Sequence, residues 1–212
     1  MKSQKFLFLK SLYVLSLPLL FIAVLFFGNL RVNAASGVNV NNTTFPDPKF
    51  QKFVLSNFDT DNNKYLDEKE LSEITTLDIT NQKIDKLVGI SYFKNLQVLI
   101  CPHNNLTGID LGANTKLTKV ECYNNSNLTG INLTYCTELV NLRCDNCALQ
   151  NLDLSKNTKL EYLNCRNNKL SYLNLAKNTQ LKELRCHQNN LATLDLSANT
   201  KLTYFTCYDN SL

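Results

Sequence analysis

The sequence predicts a parallel β-solenoid with an extended back side, preceded by a short helical N-terminal cap. Three observations predict it. Cysteines at 101, 122, 144, 165, 186 and 207 are separated by 21 or 22 residues. Each sits in the same apolar frame, as in Leu160-x-x-Leu163-x-Cys165-x-x-Asn168-x-Leu170. Ahead of the first frame, Phe50, Phe53, Val54 and Phe58 recur at helical spacing.

The chain opens with Lys2, Lys5 and Lys10, continues in an apolar run from Leu12 to Phe27, and reaches Val32-Asn33-Ala34. That order predicts a signal peptide over residues 1–34, and hence a secreted or cell-surface protein. The alternative is an uncleaved anchor, against which the run falls short of the roughly 20 residues a spanning helix needs. Cleavage removes Lys2, Lys5, Lys10 and Arg31 with no acid, so the formal charge of +4 falls to zero. The basic balance therefore gives no support to nucleic-acid binding.

Residues 35–44 are polar and Asn-rich and read as a mobile linker. Residues 45–73 read as the cap, with a helix over residues 45–58 whose apolar face covers the open end of the first coil, as a solenoid requires. Within the cap, residues 59–70 follow the spacing of an EF-hand calcium loop. Asp59, Asp61 and Asn63 would offer side-chain oxygens, Tyr65 its carbonyl, Asp67 a direct or water-mediated contact, and Glu70 both oxygens. Lys64 stands where the motif wants Gly for a positive φ, so the loop reads either as a weak Ca2+ site or as a purely structural cap.

Residues 74–212 hold seven copies of the frame, starting at Ile74, Leu96, Leu117, Leu139, Leu160, Leu181 and Leu202. This is the leucine-rich-repeat signature. Strand alternation turns Leu163 and Cys165 inward and Tyr162, Asn164 and Arg166 outward. The Asn at 104, 125, 168, 189 and 210 should bond backbone groups where the chain turns out of the strand. A second pattern, Leu170-x-x-Leu173-x-Leu175-x-x-Asn178-Thr179, fills the rest of each period and predicts an extended back. One extra residue, in Asn125-Ser126-Asn127-Leu128, falls in a turn. The last copy is incomplete at Leu212, and no Leu-Pro-x-Thr-Gly sorting signal occurs. Either a truncated reading frame or a freely secreted product would explain both.

A signal peptide, an EF-hand-like helical cap and cysteine-bearing 21-residue repeats together resemble the internalin-like leucine-rich-repeat proteins of Gram-positive bacteria. The resemblance covers residues 45–212 and implies adhesion to proteins of a host or neighbouring cell through the strand-ladder face. No paired nucleophile and base, phosphate loop or zinc spacing rises above chance, so no enzyme is predicted. The six frame cysteines occupy a position that other repeats give to Leu, and they read as buried free thiols. Cys147 falls on the Asn position, and Cys136 reads as the exposed thiol. His103 and His187 read as surface residues.

Two functions follow from different classes: a protein-binding module, or a calcium-stabilised spacer without a specific partner. The outward columns favour the first, because they are rich in Tyr and Arg, the types that anchor interfaces. The candidate protein-binding residues are Tyr123, Arg143, Tyr162, Arg166, Arg185, His187, Tyr204 and Tyr208.

Overall fold

The structure, a computed structural model, describes residues 37–212. The signal peptide and its cut lie outside the described residues. Chain order begins with strand β1 (Val38–Asn39), which pairs antiparallel with β2 (Tyr65–Leu66), Val38 opposite Leu66. Val38 and Val40 are buried, so residues 37–44 belong to the cap and are not the expected linker. Their two-residue period gives one apolar face, which the surrounding asparagines obscure in the sequence. Asn41 then turns the chain by accepting from the amides of Thr43 and Thr44, at 2.8 and 3.2 Å.

Helix α1 (Pro48–Phe58) starts three residues later than expected. Pro48 suits a first-turn position, and Asp47 caps the helix by accepting from the amides of Lys49 and Phe50 at 2.9 and 3.0 Å. Phe45, outside the helix, is fully buried against Phe50 and Phe93, with ring centroids 5.7 and 6.1 Å away. Phe58 also meets Phe93, at 5.9 Å, so aromatic rings from the cap cover the apolar end of the first coil. The second oxygen of Asp47 accepts from the amides of Asp85 and Lys86 at 2.7 and 2.9 Å. One buried carboxylate thus caps α1 and ties it to the first coil. Helix α2 (Glu68–Glu73) begins with a capping box between Asp67 and Glu70.

The front of the solenoid is one parallel sheet of seven short strands: β3 (Thr76–Asp78), β4 (Val98–Ile100), β6 (Lys119–Glu121), β8 (Asn141–Arg143), β9 (Tyr162–Asn164), β10 (Glu183–Arg185) and β11 (Tyr204–Thr206). Register is without offset: Leu77 lies on Leu99, Val120 on Leu142 and Leu163 on Leu184. These six side chains and the cysteines from Cys101 to Cys186 in the frame are fully buried. The back is extended, as expected, with β5 (Gly108–Asp110) paired to β7 (Gly130–Asn132) and a single 3-10 turn at Ile90–Tyr92.

Two asparagine ladders satisfy the turns. In the first, Asn168 accepts from the amide of Leu149 at 2.9 Å and donates to the carbonyls of Cys144 and Cys165 at 2.9 and 3.0 Å. Asn104, Asn125, Asn189 and Asn210 repeat this pattern. Cys147 keeps only the donor half, its thiol reaching the carbonyl of Cys122 at 3.4 Å. The amide of Leu128, which an Asn there would have received, bonds instead to the carbonyl of Asn125 at 2.9 Å. The extra residue of that coil makes this local bond reachable.

The second ladder, on the back, runs through Asn114, Asn157, Asn178 and Asn199, each donating to two backbone carbonyls. Cys136 occupies this column and points its thiol at the carbonyl of Leu111, 3.5 Å away. It is fully buried, contrary to the sequence expectation, because the column lies under the turn and not on it. All eight cysteines are free thiols. Burial pushes those of Cys136 and Cys147 up to about 11 and that of Cys186 up to about 12.

Candidate protein-binding face and cation loop

Every side chain on the ladder face is set by the same alternation that buries Leu163 and Cys165. Lys119, Asn141, Tyr162, Glu183 and Tyr204 form one column, and Glu121, Arg143, Asn164, Arg185 and Thr206 the next. Tyr123, Asp145, Arg166, His187 and Tyr208 follow where the chain leaves the strands. At the corner itself stand His103, Asn124, Asn146, Asn167, Gln188 and Asp209, all with φ between 50 and 57°. Asn is the residue that best tolerates this left-handed conformation after Gly, which accounts for its recurrence.

Aromatic and guanidinium groups interlock across coils. The Arg143 guanidinium lies 3.9 Å over the Tyr123 ring, and that of Arg185 lies 5.1 Å from the Tyr204 ring. Tyr204 and Tyr208 are exposed, whereas Tyr123, Tyr162, Arg143, Arg166 and Arg185 are half-buried by their neighbours. One expectation needs correction. His187 is only 5% exposed, stacked on Tyr208 at 4.2 Å with its Nδ1 2.9 Å from the Thr206 hydroxyl. Burial, then the charges of Arg166 and Arg185, hold its pKa below the usual value. Asn164 points out of the core as predicted but is closed to solvent, because it donates to Asp145 at 3.0 Å. His103 is exposed, as expected.

Asp145, which is not among the residues expected from the sequence, organises the centre of the face. It is 1% exposed and accepts from Arg143 Nε at 3.3 Å, Asn146 Nδ2 at 3.0 Å and Asn164, with Arg166 Nε at 3.5 Å. Alternation identifies Asp145 as outward, but nothing in one coil shows that Asn164 and Arg166 of the next close over it.

In the cap loop, the carboxylates of Asp59, Asp61 and Glu70 place oxygens within 4.8 Å of one another. Asp59 and Glu70 are buried and Asp61 is exposed. These three of the expected ligands converge. The Asn63 amide oxygen is engaged by the backbone of Tyr65 at 2.6 Å, Asp67 caps α2, and Tyr65 lies in β2. Glu70 accepts from the Thr60 amide and hydroxyl at 2.7 and 2.6 Å and from the Asp67 amide at 3.1 Å. Burial raises the Glu70 carboxyl, but these hydrogen bonds outweigh it and hold the group below its ordinary pKa. Lys64 does adopt φ 63°, the strained conformation expected where the motif has Gly. The donor set is all oxygen and acidic, which fits a hard divalent cation.

The chain is 39% identical over 74 residues to Internalin J of Listeria monocytogenes, a stretch that spans 35% of this chain and 8% of that relative. Among solved structures it resembles the functional domain of InlJ from Listeria monocytogenes, described as including a cysteine ladder, at 30% identity and a TM-score of 0.57. This is an internalin-like leucine-rich-repeat chain. The internalin likeness extends to InlF of Listeria monocytogenes, at 25% identity and TM-score 0.55, and in fold alone to internalin C2, at 24% and 0.56. The match covers 82% of this internalin-like chain in each case, and 48%, 59% and 89% of the three structures. No family model matches the sequence. Among the described residues, no helix is long and apolar enough to cross a membrane.

Proposed function

We propose that this chain is a protein-binding module, acting outside the cytoplasm as a secreted or surface-displayed adhesin, and not an enzyme. The observation that carries the reading is the ladder face itself, where Arg143 packs on Tyr123 and Arg185 lies by Tyr204 of the neighbouring coils. Pre-ordered aromatic and guanidinium groups offer large contact area at modest entropic cost. The partner is a protein of a host or neighbouring cell. Changing Tyr162 and Arg166 together to Ala should weaken capture of that partner by about tenfold or more. Changing Lys156 and Lys177 on the back to Ala should leave it intact. A pull-down from cell-surface extracts, quantified for both variants, checks this. Loss with the back-face variant alone would put the interface on the other side, and capture of nothing by the parent chain would favour the spacer reading.

We also propose that the cap loop takes Ca2+, held by Asp59, Asp61 and Glu70 with Asn63, Asp67 and the Tyr65 carbonyl completing the set. The ion would supply a cross-link between the end of α1 and the start of α2. Glu70 must give up hydrogen bonds to Thr60 and Asp67, and Lys64 adds a positive charge, so binding is weak, on the order of 10⁻⁴ to 10⁻³ M.

A further inference from the structure

Two ion pairs on the ladder face match one cation to one anion, and a third group does not. Lys119 meets Glu121 at 3.0 Å, and Arg185 meets Glu183 at 2.7 Å. At Asp145 two guanidiniums, Arg143 and Arg166, share a single carboxylate. Asp145 is closed to solvent while the two arginine side chains are 31% and 41% exposed. An incoming partner therefore meets the cations and not the anion beneath them. Both guanidiniums make their closest contact with Asp145 through the inner Nε atom, and Arg143 is further held against Tyr123. The Nε of Arg166 is buried, and its 3.5 Å approach to Asp145 makes no hydrogen bond. Two like charges on adjacent coils with half the needed counter-charge repel each other, and a second carboxylate would remove that cost.

We propose that Arg143 and Arg166 form a clamp for a carboxylate side chain, so that the protein partner of this face presents an acidic segment. This rests on the ladder-face reading above and names the chemistry of its partner. Guanidinium forks favour carboxylates because two parallel N–H donors match two oxygens. The local surplus is one positive charge, and the chain without residues 1–34 carries none overall. That suits an acidic segment of which one or two side chains enter the clamp, and not nucleic acid, whose binding needs many cations.

The test uses the full chain with fluorescein-labelled deca-glutamate, deca-glutamine and a single-stranded oligonucleotide, read by anisotropy at low salt. Deca-glutamate should bind and deca-glutamine should not. Arg143→Gln with Arg166→Gln should weaken deca-glutamate at least tenfold, while Lys156→Gln with Lys177→Gln on the back should change it less than twofold. Removing both arginines strands the buried Asp145, so a triple variant that adds Asp145→Asn restores a neutral centre and should show the same loss if the double variant misfolds. Equal affinity for deca-glutamine, tighter binding of the oligonucleotide, or retention of binding in the triple variant would each overturn the clamp. A partner whose capture depends on Tyr162 but not on Arg143 or salt would leave the ladder face standing and remove only the carboxylate.

Discussion

Asp47 shows how much one side chain can carry. It is 4% exposed and accepts from four backbone amides, two at the start of α1 and two in the first coil. Burial raises its pKa, but the four amides outweigh that and hold it below the ordinary carboxylate value. A depressed folded-state pKa means stability that is present above the unfolded value, about 3.9, and is lost as pH falls through the folded one. Asp47→Ala should therefore cost roughly 2–3 kcal/mol at neutral pH. The gap between parent and variant should narrow in acid. Denaturant melts at about pH 7 and pH 3 measure both, and equal stabilities at neutral pH would show that the amides find other partners. Sequence reading passes over Asp47 because its two coil partners, Asp85 and Lys86, lie 38 and 39 residues away and carry no signal of their own. The same blindness explains Asn164, Asp145 and His187. Alternation tells which way each points, and only the next coil tells whether it is covered.

At the scale of elements, legibility follows length. The frame of Leu163, Cys165 and Asn168 recurs often enough that periodicity alone places seven front strands. Val38 and Val40 offer one repeat of a two-residue period among asparagines, and β1 is invisible for that reason. Helix α1 starts later than the aromatic spacing implies, because that spacing continues back to Phe45 while Pro48 and the Asp47 cap set the true first turn. The cap loop was legible in residue types but not in partners, since Thr60 at the second position competes for Glu70. If Ca2+ wins that competition, millimolar calcium should raise the melting temperature of the parent chain by mass action on the folded loop. Asp59→Ala with Glu70→Ala should abolish the rise. A parent chain whose melting temperature does not respond to calcium would make the loop a structural cap closed by Thr60 and the capping box.

Over the whole molecule, stability is unevenly shared. A solenoid coil is stabilised by its two neighbours, so its strength depends on where it lies in the stack. From β3 to β10 the central core residue of every front-sheet strand is fully buried, and the cap rings seal the first coil. In the coil that reaches Leu212, Phe205 is 40% exposed, and Leu202 and Cys207 are only half-buried. Amide hydrogen exchange should therefore be fastest in β11, slower in β10 and slowest between β4 and β9. Uniform protection across all seven strands would mean that the stack opens as a single unit.

The pairing of Cys147 with the longer coil before it has a historical consequence. An Asn at 147 would compete with the Asn125 carbonyl for the Leu128 amide, and a coil without its extra residue would leave that amide unmet beside a thiol. Deleting Ser126 should destabilise the chain, and adding Cys147→Asn to the deletion should recover much of the loss, while Cys147→Asn alone gains little. A double-mutant cycle measures the coupling, and additive effects would dissolve it. With coupling of that sign, the order of events is constrained. The insertion could arise first and free position 147 from its amide, whereas the cysteine arising first would have crossed a less stable intermediate.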